Sequence, residues 1–199
     1  AIVGLHATGG STNHMLHLPA MAAAAGIKLT WEDFEALSEV VPLLARVYPN
    51  GHADVNEFHN AGGMNFIFQE LISEGLLDTS ANTSWGKTLA DFIQKPEVKQ
   101  SKLAWTSLRA KSQDESILRT VMRPFMKSGG IKVLSGNLGK AVIKVSAVSE
   151  NNLNISAKAM IFSSQEEVKE AFNSGKLDKD VIVVVKGQGP KANGMPELH

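Results

Sequence analysis

The chain has 199 residues, 43% hydrophobic and 20% charged, the balance of a folded chain rather than a disordered one. Its 20 basic and 20 acidic side chains leave no net charge to steer it onto nucleic acid or an anionic membrane. Cysteine is absent, which excludes a disulfide scaffold, a cysteine nucleophile and a thiolate-held zinc or iron–sulfur centre supplied by this chain.

The length fits one domain or two small ones. No apolar run approaches the roughly 20 residues of a membrane span. No basic segment precedes an apolar core at the start, so no signal peptide is expected. The chain opens on Ala1 without Met and stops at His199 just after a Gly-rich loop, so it is expected to be a piece of something longer. In chain order, Gly9-Gly10-Ser11-Thr12 precedes Met15, Leu16, Leu18, Met21 and Ala22 at helical spacing, with Ser11 or Thr12 as the cap and Gly26 as the stop. Pro19 should kink that helix or mark its true first turn. Thr30-Trp31-Glu32-Asp33 opens a second helix running toward Val40, with Asp in the place of the usual capping-box Glu. A third covers about 61–74, with Met64, Ile67, Phe68, Leu71 and Ile72 on one face. From 78 to 119 the chain is polar and reads as an irregular connection. After Pro124 the period changes to strands: 131–134, a turn at 135–139, 141–146, and 154–162. Ser164-Gln165-Glu166-Glu167 opens a helix with a capping box, Gly175 closes it, and Val181–Val185 has the composition of a fully buried strand. No internal repeat is visible.

Three segments could carry chemistry. Gly9, Gly10, Ser11, Thr12, Asn13 and His14 combine close backbone approach, hydroxyl donors and a helix N-terminus, a setting for an anion. The same residues also fit a plain turn and cap. His14 and His17, three apart, could face one metal, but no third ligand is in view. The stretch 48–59 concentrates His52, Asp54, Asn56, Glu57 and His59, fitting a cation, a hydroxylated substrate or a solvated turn. The loop 187–197 follows a strand that would fix its start; Lys191 could meet an anion, and Glu197 could bind Mg²⁺ or move a proton. A phosphate P-loop is excluded, because no Gly-Lys-Ser/Thr triplet ends it.

Four ordered stretches, 7–14, 48–63, 132–139 and 189–197, resemble the dihydroxy-acid dehydratase/6-phosphogluconate dehydratase family along nearly all of the chain. Asn13-His14 and the Asn50–Asn56 stretch are closer to its phosphogluconate branch than to its branched-chain dihydroxy-acid branch. The resemblance implies a bacterial, cytoplasmic hydro-lyase of the Entner–Doudoroff pathway, a homodimer acting on a small phosphorylated sugar acid. It also implies an iron–sulfur cluster, whose open iron takes the leaving hydroxyl, and a Mg²⁺ at the carboxylate end. The family's cluster cysteines and its Gly-Arg-x-Ser-Gly serine have no counterpart here, so no catalytic residue is expected in this segment. Only Glu197, in the family's Gly-Met-x-Glu position, carries over as a Mg²⁺ ligand; Gly9, Gly10, Ser11, Thr12, Asn13, His14 and Lys191 are the expected substrate-binding residues.

The expected fold is α/β: residues 1–118 form the helical end of an α/β domain plus linker. Residues 119–199 begin a β-rich, barrel-like domain that the resemblance likens to the aconitase swivel domain. The active site would lie between the two. Dehydration of another sugar acid or dihydroxy acid, or a non-catalytic anion-binding module, remain as alternative functions.

Overall fold

In the computed structural model, which describes residues 1–84, 88–107 and 111–194, the chain is mixed α/β and parts into two compact units, 1–148 and 149–199. The first unit opens with α1 (Ile2–Thr8), α2 (His14–Ala24) and α3 (Trp31–Val40). Thr30 caps α3 in a capping box, its N–H donating to Asp33 Oδ2 at 2.7 Å, as the spacing of the two residues requires. Pro19 lies inside α2 and has no N–H for the Met15 carbonyl one turn back. Trp31 supplies the missing donor: its Nε1–H reaches Met15 O at 3.2 Å.

The segment Val41–Val47 was not assigned by pattern, yet it runs through the core. Val41, Leu43, Leu44 and Ala45 are fully buried, and Leu43 and Ala45 bridge antiparallel to Met126 and Leu118. Against it pack Phe66, Ile67 and Leu71 of α5 (Gly63–Ser73), which follows the short α4 (Val55–Ala61). The predicted helix over 61–74 is therefore α5, separated from α4 by Gly62 at φ 143°. A smaller cluster, Leu5, Met15, Phe34 and Ile131, ties α1, α2 and α3 to the segment that begins at Ile131.

The expected irregular connection over 78–119 contains a hairpin instead, β1 (Gln94–Lys99) antiparallel to β2 (Lys102–Ser107). Its two-residue turn, Gln100-Ser101, takes positive φ (50° and 58°) without glycine or asparagine, which is why no turn signal marked it. The two strands expected at 131–134 and 141–146 are present with other bounds: β3 (Ile131–Gly136) pairs antiparallel with β4 (Gly139–Lys144) across a tighter turn at Asn137-Leu138, and the chain leaves the strand at Val145 for a 3-10 turn. The hairpin packs on α3 within the first unit.

In the second unit β5 (Lys158–Phe162) runs parallel to β6 (Val181–Val185), joined through α6 (Gln165–Asn173). The strand predicted from 154 begins only at Lys158. Ser164 caps α6, its hydroxyl accepting from Glu167 N–H at 3.2 Å, but the expected capping box does not close, because the Glu167 carboxylate accepts from Ser163 N–H at 2.7 Å, one residue ahead of the cap; Gly175 (φ 72°) follows the helix end. The expected full burial of Val181–Val185 is overturned: Ile182 and Val183 are each 41% exposed. A two-stranded sheet carrying one helix leaves part of its apolar surface open, which composition alone cannot reveal. The short α7 (Pro190–Asn193) ends the described chain. Among the described residues the strands form three separate pairs and close no barrel. No described helix is long and apolar enough to cross a membrane.

Candidate functional site

The Gly9–His14 turn links α1 to α2. Gly9 is the left-handed C-cap of α1 (φ 62°), its N–H bonding back to His6 O at 3.3 Å. Gly9 is buried, and a Cβ there would collide with Asn50 Nδ2 and reach 2.9 Å from Leu43 Cδ1. A Cβ on Gly10 would come 2.7 Å from Leu5 Cδ1. The two glycines therefore serve close packing within the protein, not only approach to a ligand.

The expected cap is also different. Asn13, not Ser11 or Thr12, is the N-cap of α2, and no side chain caps it. Ser11 Oγ instead accepts from Asn13 N–H at 3.2 Å, and the N–H groups of His14 and Met15 bond to Ser11 O and Thr12 O at 3.1 and 2.9 Å. The helix start has thus satisfied its own donors by tightening the turn. Among the described residues the N–H groups of Ser11 and Thr12 keep no protein partner, so the free donors lie one step ahead of the helix. His14 is exposed, with Nδ1 3.0 Å from Ser11 O.

The first two candidate segments come together at Asn50. Its Nδ2 donates to Gly9 O at 2.6 Å, and its Oδ1 accepts from Ser146 Oγ at 2.9 Å. Beyond Asn50 lies a hollow of about 390 Å³, lined by Arg46, His52, Glu57, Asp114 and Ser116 among others. The acidic residues that suggested a cation site have local roles. Asp54 and Glu57 form the capping box of α4, each side chain accepting the other's N–H at 2.8 Å. Asp114 accepts from the hydroxyl of Ser116 at 2.6 Å and from its N–H at 2.8 Å, and these bonds hold its carboxyl below the usual carboxylate range. No described group of three His, Asp or Glu side chains is arranged to hold a metal, His14 and His17 included.

The third segment, in the second unit, is not a plain loop. Lys191 sits in α7, which Asn193 Nδ2 ties back to Gly187 O at 2.9 Å. Glu197 lies outside the described residues. Sequence reading missed the Asn50–Ser146 bond; the residues sit 96 positions apart, and only the fold joins them.

Residues 1–92 match the family model described as dihydroxy-acid/6-phosphogluconate dehydratase N-terminal, and residues 116–199 match its C-terminal counterpart. Over the whole chain, the sequence is 54% identical to "Phosphogluconate dehydratase" of Rhizobium meliloti (strain 1021) and 52% identical to the protein of that name in Escherichia coli (strain K12). It is 37% identical, over 96% of its length, to "Dihydroxy-acid dehydratase" of Caldanaerobacter subterraneus subsp. tengcongensis. The chain spans about a third of the length of each of these relatives (33%).

Proposed function

The chain belongs to the dihydroxy-acid/6-phosphogluconate dehydratase family, and from that membership we propose that it is part of a hydro-lyase converting 6-phospho-D-gluconate to 2-dehydro-3-deoxy-6-phosphogluconate. The observation carrying this choice of substrate is the 54% and 52% identity to phosphogluconate dehydratases, against 37% to the dihydroxy-acid dehydratase. In such a reaction the C2 proton and the C3 hydroxyl leave as water, and the resulting enol tautomerises to the 2-keto acid.

The family reading carries an iron–sulfur cluster and a Mg²⁺. The residues of this chain do not fit the cluster, since none of the 199 is a cysteine. They supply no described metal cluster either. Glu197 is the proposed Mg²⁺ contribution, and its remaining ligands lie elsewhere in the enzyme. The part proposed for this chain is anion binding: the N–H and hydroxyl groups of Ser11 and Thr12, beside His14, hold one acidic end of the substrate, and Lys191 meets an acidic group. Gly9, Gly10 and Asn13 set the path of the turn. A cytoplasmic homodimer, an α/β domain ending near 118 and an aconitase swivel-like domain from about 119 belong to the same reading.

The test is turnover by the anaerobically purified full-length protein, offered 6-phosphogluconate and, separately, a branched-chain 2,3-dihydroxy acid. Preference for the phosphorylated acid, with release of a 2-keto product, is expected. Equal or better turnover of the branched-chain acid refutes the proposal.

A further inference from the structure

Arg46, Lys111, Arg119 and Arg123 lie outside the three candidate segments. The guanidinium carbons of Arg119 and Arg46 lie 4.2 and 4.6 Å from the centre of the Phe125 ring. Backbone bonds pin all three residues: Arg46 N–H to Ile117 O, Arg119 N–H to Leu44 O and Phe125 N–H to Leu43 O, each 2.9 Å. Leu43, Leu44 and Leu118 between them are fully buried, so this ladder cannot slide without opening the core. The two cations are therefore held in place together despite their repulsion.

Beside Arg119 opens a hollow of about 570 Å³, lined by Lys111, Glu115, Arg119, Thr120 and Arg123 among others. Glu115 is the one carboxylate among these lining residues, and Arg123 Nη2 takes both its oxygens, at 2.7 and 2.9 Å. Arg119 Nε donates to the Glu115 carbonyl at 3.0 Å, which fixes the guanidinium and leaves its Nη groups without a carboxylate among the described residues. Three cations against one carboxylate leave an excess of two positive charges, the complement of a phosphate monoester dianion.

We propose that Lys111, Arg119 and Arg123 form a phosphate-binding subsite. Phe125 backs the Arg119 guanidinium and Thr120 offers a hydroxyl. Phosphate binding follows from this charge arrangement; only the assignment of its natural ligand to a phosphorylated sugar acid rests on the dehydratase reading. The experiment titrates the full-length protein with inorganic phosphate, 6-phosphogluconate and unphosphorylated gluconate by calorimetry, in wild type, Arg119→Gln and Lys111→Gln. Loss of one charge-assisted contact is expected to raise Kd for both phosphate-bearing probes about tenfold and leave gluconate unchanged. Lys111 is exposed, so its variant is expected to fold even if Arg119→Gln does not. Unchanged Kd for inorganic phosphate in both variants, or equal weakening of gluconate, overturns the subsite. A loss confined to inorganic phosphate keeps the subsite and assigns it to a free anion rather than the substrate. Phosphate binding lost in the variants of a protein that never dehydrates 6-phosphogluconate keeps the subsite and removes the dehydratase reading.

Discussion

Replacing Gly129 by alanine tests how the first unit is closed. His6 is fully buried in α1, and its Nε2–H donates to Phe34 O at 2.9 Å. Gly129 lies on this ring: a Cβ there would stand 2.5 Å from His6 Nδ1, 2.7 Å from Cγ and 2.8 Å from Cβ. Carbon atoms in contact normally sit about 3.5–4 Å apart, so the neighbours must yield by about an ångström. Neither side is free to move. Gly129 N–H donates to Ser38 O at 2.7 Å, and the buried Ser38 hydroxyl reaches Ile131 O at 2.7 Å and Gly129 O at 3.1 Å. Overpacking costs about 1–3 kcal/mol, and loss of the His6–Phe34 bond adds about 1 kcal/mol, so about 3 kcal/mol is expected. Gly129 does not occupy the left-handed region, so contact alone penalises the alanine. Urea unfolding followed by circular dichroism measures the loss, and His6→Ala in the same background should recover about 1 kcal/mol or more as a coupling energy. An unchanged midpoint for Gly129→Ala, or strict additivity with His6→Ala, refutes the reasoning.

His6 also makes stability depend on pH. Burial, aided by nearby Lys132, holds its pKa below the ordinary 6.5 against the opposing bond to Phe34 O, and among the described residues Nδ1 has no acceptor to receive a second N–H. The neutral form is favoured in the fold, so this stabilisation is present above pH 6.5 and is lost as pH falls below it; His6→Asn should flatten the unfolding midpoint between pH 7 and 5.5. Trp31→Phe should cost about 1 kcal/mol by leaving Met15 O without a donor, and adding Pro19→Ala should restore most of it through the new N–H; a double variant no better than the single one counts against that account. In the full-length enzyme, Ser11→Ala with Thr12→Ala should raise KM for phosphogluconate about tenfold to a hundredfold, and an unchanged KM would leave these residues as turn formers only. Glu197→Gln should shift the Mg²⁺ dependence of activity to higher concentration, and superimposable titrations would remove its metal role.

Local rules were legible in the sequence. The Thr30–Asp33 box, the α6 cap at Ser164 and the β3–β4 turn all follow from residues within four positions of one another. What escaped depends on distant partners. Val41–Val47 is too short and too apolar to show a period, and most of its partners are remote in the chain: Ala7 on one side, Ile117, Leu118 and Met126 on the other. The β1–β2 turn uses Gln100 and Ser101 where a glycine would have marked it. Within the candidate site, Gly9, Gly10 and the hydroxyls of Ser11 and Thr12 could be named from sequence. Their division of labour could not, because Gly9 answers to Asn50 and the helix start to its own turn carbonyls.

One chain of bonds ties the two family segments together at that site. Ser146, in the region matching the C-terminal family model, donates to Asn50, and Asn50, in the N-terminal match, donates to Gly9 O at the head of the candidate anion turn. Asn50→Asp keeps the acceptor for Ser146 but places a carboxylate oxygen against the Gly9 carbonyl, so donor becomes acceptor and attraction becomes repulsion. Losing such a part-buried bond and leaving its carbonyl unpaired costs about 1–3 kcal/mol. Because Gly9 is packed against Leu43, the strain should be released by moving the more exposed Ser11–His14 end of the turn. Ser146→Ala frees Asn50 Oδ1 but leaves its donor in place, so it should act in the same direction and more weakly. In the full-length enzyme the expected order of KM for phosphogluconate is Asn50→Asp above Ser146→Ala above wild type, with the overall fold retained by circular dichroism. The opposite order, or a loss of stability with no change in KM, would detach the turn from substrate binding and leave the three residues as a structural tie between the two sequence halves.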